Sequence, residues 1–198
     1  MGLSAAVALA VGASVFVATG ASALEEGKDE KQQLETCERD LCSILVKREA
    51  TGKDLQCALQ KTWFGSKIKE GAEATKRLTW KFGDVRCTVE VQARRQELLD
   101  ALVKPAFELK LAKHAVRCEV EREKEVVPIS LSMAPRFQFK DGKAVKAWLG
   151  IGEINAPSAL KSAIWTAAQL EDTFGIVHAD LIKEINRFVH ERCPKKSS

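Results

Sequence analysis

Apolar residues between Pro157 and Cys193 recur at three- and four-residue steps: Leu160, Ile164, Ala167, Leu170, Phe174, Val177, Leu181, Ile185 and Phe188. That spacing predicts a helix with one apolar stripe. Pro157 and Ser158 suit its first turn, and Pro194 suits its stop. At ~1.5 Å per residue the helix is roughly 50 Å long, unless Gly175 interrupts it. A stripe of that length has to be covered, and the alternating segments upstream supply a sheet to cover it.

Before it, Leu34, Cys37, Leu41, Ile44 and Leu45 fall on helical spacing, and Ala50-Thr51-Gly52-Lys53 ends that helix. Leu55, Cys57 and Leu59 then alternate with Gln56, Ala58 and Gln60 towards Trp63, the period of a half-buried strand. Ser66 to Thr75 is polar and reads as a loop or short helix. Leu78, Trp80 and Phe82 alternate, and after Gly83-Asp84 the phase moves by one to Val85, Cys87, Val89 and Val91. A phase change at glycine predicts a turn or bulge between two strands. Gln96 to Val103 is a short helix halted by Pro105. Three further alternating runs follow: Phe107-Leu109-Leu111, Val116-Cys118-Val120 and Val127-Ile129-Leu131-Met133. Their short connections predict antiparallel pairing.

Phe137 and Phe139 lead into Lys140-Asp141-Gly142-Lys143, a hairpin signal. A two-residue Asp141-Gly142 loop puts Phe137 opposite Lys146. A three-residue loop, with Gly142 as the bulge residue, puts Phe137 opposite Val145 and keeps one face apolar through Ala147, Leu149 and Ile151. The second register is the one expected, with Trp148 on the other face beside Lys146. The fold expected is α+β: an N-terminal helix and an antiparallel meander of six to eight strands, packed on a long C-terminal helix.

At the N-terminus, Ala5 to Val17 carries no charge, and Ala21-Ser22-Ala23 supplies the small residues a signal peptidase accepts. Residues 1–23 read as a secretory signal cleaved after Ala23, although Met1 to Ser4 lacks a basic residue. The alternative, a retained anchor, asks for about 20 strongly apolar residues, and this run is weak in Leu and Ile. Residues 24–198 then form a single domain. Its cysteines, Cys37, Cys42, Cys57, Cys87, Cys118 and Cys193, are even in number, which in an exported chain implies disulfides. Cys87 and Cys118 fall on inward faces of two strands and suit each other. Cys193 reaches Cys37 or Cys42, leaving the other for Cys57. The Cys37-x4-Cys42 spacing has no second close pair and no nearby histidine to complete a zinc site.

The formal charge of +4 is spread through mixed-sign stretches rather than gathered into a basic stripe with aromatics, so nucleic acid is not an expected partner. His114 falls in a turn, and His178 and His190 lie on the terminal helix without metal-ligand spacing, so all three read as surface or helix-end residues. There is no nucleophile elbow, P-loop or dinucleotide fingerprint, and Gly150-Ile151-Gly152 needs only a turn to explain it. No cofactor and no enzymatic activity is expected. The aromatic residues say more. Trp80, Phe82, Phe107, Phe137, Phe139 and Phe174 would face the space between sheet and long helix. If sheet and helix do not close completely, they keep an apolar groove.

Cys37-x4-Cys42, Lys61-Thr62-Trp63, Trp80-x-Phe82-Gly83-Asp84-x2-Cys87, Phe139-Lys140-Asp141-Gly142-Lys143-Ala144, Leu170-Glu171-Asp172 and Ile185-Asn186-x-Phe188 run through nearly the whole of residues 24–198. In that combination the chain resembles an uncharacterised family of exported proteins from Gram-negative bacteria. The resemblance implies the periplasm and carries over no functional residue. A second likeness, in element order alone, is to the tubular lipid-binding proteins. The function expected is non-enzymatic binding of a hydrophobic or lipid-like ligand between sheet and helix. The alternative is a protein-interaction module, an envelope assembly factor or enzyme inhibitor, acting through Trp148.

Overall fold

The computed structural model of the protein describes residues 24–75, 79–123, 125–174 and 176–196. The expected signal, residues 1–23, and the side chains of Phe174 and His178 lie outside the described residues. In chain order the elements are α1 (Glu30–Lys47), β1 (Leu55–Trp63), α2 (Gly65–Thr75), β2 (Val85–Ala93), α3 (Arg95–Val103) and β3 (Ala106–Lys110). There follow β4 (His114–Arg122), β5 (Glu125–Met133), β6 (Arg136–Lys140), β7 (Lys143–Trp148), β8 (Ile151–Asn155), α4 (Ser158–Phe174) and α5 (Ile176–Arg187). A π-helical turn, Phe188–Arg192, then leads into α6 (Cys193–Lys196). The fold is α+β and antiparallel, as the alternation predicts. Its strands are divided between a five-stranded sheet of order β1-β2-β4-β5-β8 and a three-stranded sheet of order β3-β6-β7.

The five-stranded sheet has one apolar face because its alternating strands are in phase. Cys57 of β1 pairs with Val91 and Leu59 with Val89. Val89, Cys87 and Val85 pair with Val116, Cys118 and Val120 of β4, and these with Leu131, Ile129 and Val127 of β5. Residues directly opposite share a face, so the whole row points one way. The other face carries the row Gln60, Thr88, Arg117 and Ser130, which suits a face open to water.

Two clusters cover the apolar face. Near the Leu55 end, α1 supplies Ile44 and Leu45, α3 supplies Leu98 and Leu99, and the small sheet supplies Leu109 and Phe139. At the Val85 end, Val116, Val120 and Ile129 pack with Leu160 of α4, Trp80 and Phe82. The terminal stripe is thus shared. Leu160 and Ile164 of α4 serve the second cluster, while Ile182, Ile185, Phe188 and Val189 serve the first.

Both register expectations around glycine are corrected. The strand expected at 78–82 is absent at residues 79–84. Trp80 and Phe82 instead fold edge-to-face with ring centroids 5.0 Å apart, and the Trp80 indole N–H donates to the Gly83 carbonyl at 3.1 Å. Their spacing of two serves a loop wrapped over the sheet. In the hairpin, Lys140 pairs with Lys143 across a two-residue turn, and Phe137 lies opposite Ala147 rather than Val145. Asp141 and Gly142 both have positive φ, 50° and 75°, the conformation whose twist matches the flanking strands. The phase slip is taken up by Val145, which bulges out between Ala144 and Lys146 and is exposed. The run expected to continue through Leu149 to Ile151 breaks there, and β8 joins the other sheet.

The cysteine pairs are Cys37–Cys57, Cys42–Cys193 and Cys87–Cys118. Cys37 and Cys42 are five residues apart on α1, about 140° around its axis. One therefore faces β1 and the other faces the C-terminal helix.

Candidate ligand groove

Where α1, α3, the two sheets and α5 meet, their apolar sides do not close on one another. They leave a groove of about 370 Å³. α1 contributes Leu41 and Leu45, α3 contributes Leu98, Ala101 and Leu102, and the large sheet contributes Leu55, Val91 and Ala93. Leu109, Phe137 and Phe139 come from the small sheet, with Leu111 just beyond β3. The last wall is Leu181 and Ile185 of α5 with Phe188 and Val189 of the π-helical turn. Among the described residues, Glu184 and Arg192 are the only charged groups in the lining. Leu41, Val91, Leu102, Leu111, Phe137, Leu181, Ile185 and Phe188 are only half-buried, so hydrocarbon on every wall meets water.

The α5 wall is held from behind. Asn186 of α5 clips the edge strand β7: the Ala144 N–H donates to its Oδ1 at 2.8 Å, and its Nδ2 donates to the Ala144 carbonyl at 2.9 Å. One turn on, His190 Nε2 donates to the Gly142 carbonyl at 3.1 Å. The Cys42–Cys193 bridge then ties the end of the π-helical turn to α1. At the rim, Arg192 donates from Nη2 to Glu38 at 3.1 Å, and its guanidinium carbon lies 5.4 Å from the Phe188 ring centroid. A π-helical turn shifts later side chains relative to the 3.6-residue period. Here it lets Phe188 and Val189 face the groove while Cys193 is fully buried on α1.

Of the aromatics expected around one space, Phe137 and Phe139 line the groove. Phe107 packs on the same cluster, with Lys104 Nζ 5.0 Å from its ring centroid. Trp80 and Phe82 belong to the other cluster, because their segment wraps the far end of the sheet. Trp148 is half-buried, lies opposite Arg136 in register, and carries that guanidinium 4.8 Å from its ring centroid. The walls from α1 and α3 were missed. Their periodicity marks an inward side without saying whether packing there is complete.

The polar residues His114 and Glu30 are also buried, His114 against expectation. His114 is buried, 6 % exposed, as the first residue of β4. The Gln92 N–H donates to its Nε2 at 3.0 Å, and Nδ1 bonds the Ala112 carbonyl, so both ring nitrogens serve the fold. Glu30, at the start of α1, is 3 % exposed and closes the free edge of β1. Its carboxylate accepts the Thr62 N–H at 2.9 Å, the Thr62 hydroxyl at 2.5 Å and the Gln60 amide at 3.3 Å. Burial opposes its ionisation. Hydrogen bonds from the Thr62 hydroxyl, the Gly27 and Thr62 N–H groups and Gln60 outweigh that, lowering its pKa from 4.5 to about 2.

Among the described residues no cluster of His, Cys, Asp or Glu is placed to hold a metal ion, and no helix is long and apolar enough to cross a membrane. No protein family, curated protein or solved structure compared with the chain matches it.

Proposed function

We propose that the protein binds a hydrophobic or lipid-like ligand in the groove between the two sheets and α5, as a non-enzymatic protein of the periplasm. The observation that carries this reading is the half-exposed hydrocarbon on all walls of the groove. Each Å² of it that a ligand removes from water contributes about 25 cal/mol. At about 370 Å³ the groove falls within the roughly 300–1,000 Å³ usual for small-ligand sites. The export part of the reading is supported by three disulfides and no free cysteine among the described residues, which suits an oxidising compartment.

The test is native mass spectrometry of the purified protein, before and after titration with tetradecanol. An adduct that forms at micromolar concentration, and is lost in Leu181→Arg, is the expected result. A ligand-free protein that takes up no apolar probe would sink the proposal.

A further inference from the structure

A second, larger cleft of about 1070 Å³ lies between α1, the loop before β1 and the β2–α3 junction. It shares Leu55, Ala93 and Leu111 with the apolar groove. Leu111 is half-buried, so the side chain at this junction meets water. The two spaces differ in chemistry. The groove is walled by hydrocarbon, whereas the cleft is walled by charges of both signs, among them Asp40, Lys53, Asp54 and Arg95.

Two of the charges in the lining, Arg94 and Glu97, pair with each other, and Lys110 pairs with Glu108, but among the described residues Asp40, Lys53, Asp54 and Arg95 are not spent on one another. Arg95 Nε donates to the Lys53 carbonyl at 2.9 Å and Nη1 to the Glu49 carbonyl at 3.3 Å, so its guanidinium faces backbone oxygens and no carboxylate. Asp54 accepts the Arg95 backbone N–H at 2.8 Å. Asp40 and Lys53 form no ion pair among the described residues. A hydrocarbon space that adjoins a cleft with both signs of available charge complements an amphiphile with one chain and a head carrying both signs.

Resting on the reading of the groove as a ligand site, we infer that groove and cleft form one composite site for a single-chain phospholipid with a zwitterionic head. The chain lies against Val91, Phe137 and Ile185, and the head lies between Lys53 and Asp40. A groove at the small end of the usual range of ~300–1,000 Å³ suits one chain rather than two.

The experiment compares myristoyl lysophosphatidylethanolamine with tetradecanol, titrated into the full chain by calorimetry. Lysophosphatidic acid of the same chain length serves as the anionic control. The lysophosphatidylethanolamine is expected to bind at least about tenfold more tightly than the alcohol, the equivalent of one charge-assisted hydrogen bond. The double variant Asp40→Ala/Lys53→Ala changes two exposed side chains. It is expected to remove that tenfold gain while leaving tetradecanol binding unchanged. Equal binding of alcohol and lysolipid, or a gain that survives the double variant, overturns the composite site and leaves the groove reading standing. Tighter binding of lysophosphatidic acid overturns the zwitterionic assignment. Failure of all three probes removes the groove reading and this inference with it.

Discussion

Gly142 shows how much of this fold hangs on single backbone positions. Its φ is +75°, and a Cβ built there would lie 2.8 Å from the Leu102 carbonyl oxygen at the end of α3. Its own carbonyl takes the His190 hydrogen bond, so one residue joins α3, the β6–β7 turn and the groove wall. Gly142→Ala is expected to cost more than about 1 kcal/mol, from the positive φ and the lost approach together. Urea unfolding measures it, and an unchanged midpoint would mean that the turn relaxes freely. Glu30 is the other residue whose chemistry outruns its sequence context. Its folded pKa of about 2 lies below its ordinary 4.5. The stability it adds is therefore fully present above pH 4.5 and is lost as pH falls through about 2. Between those limits, unfolding free energy should fall more steeply for the wild type than for Glu30→Gln. Parallel pH profiles would show that the carboxylate is not held as its hydrogen bonds imply.

Among the elements, α1 and α5 each close an exposed strand edge, a position that otherwise invites pairing with another chain. α1 covers β1 through Glu30 and Gln33, which accept the Thr62 and Gln60 N–H groups, each at 2.9 Å. α5 covers β7 through Asn186. Asn186→Ala leaves the Ala144 N–H and carbonyl without that clip and should cost about 1–3 kcal/mol. Faster hydrogen exchange confined to the Ala144 amide would locate the loss, and unaltered exchange there would refute the role. The bridges rank by the chain they close. Cys42–Cys193 spans 151 residues and Cys37–Cys57 spans 20. On the chain-entropy account, replacing the first pair by serines costs about 2 kcal/mol more than replacing the second. It should also loosen the α5 wall, read as weaker binding of an apolar probe. Equal costs would mean that the unfolded chain is not what the long bridge restrains.

For the whole molecule, a ligand that binds only the folded form must stabilise it. At a hundredfold excess over Kd the gain is about 2.7 kcal/mol, which for a chain of this size raises Tm by about 5–10 °C. A thermal melt with tetradecanol reads this directly, and a Tm that stays put at saturation contradicts the groove reading. Much of the architecture was legible beforehand, because period-two and period-3.6 patterns are local. β1, β2, β4 and β5, α1 and α3 begin and end, and α4 begins, close to where alternation, Pro105 and Pro157 place them, whereas the helical run after α4 is divided into α5, a π-helical turn and α6 and passes Pro194, its expected stop. The Cys87–Cys118 pair was legible for the same reason: two inward cysteines on strands in register. What alternation could not say is which partner a run of apolar residues meets. Trp80 and Phe82 have a strand's spacing but wrap a loop over the sheet, and Phe137 found its register through a bulge at Val145. Cys193 chose Cys42 over Cys37 only once α1 had an orientation. The groove is the furthest from the sequence, since its walls come from α1, β1, β2, α3, β3, β6 and α5 with the turn after it, and each looks like ordinary core taken alone. Apolar periodicity, being local, determined the faces. Whether those faces meet or leave a space depends on distances between elements, and only the tertiary structure decides that.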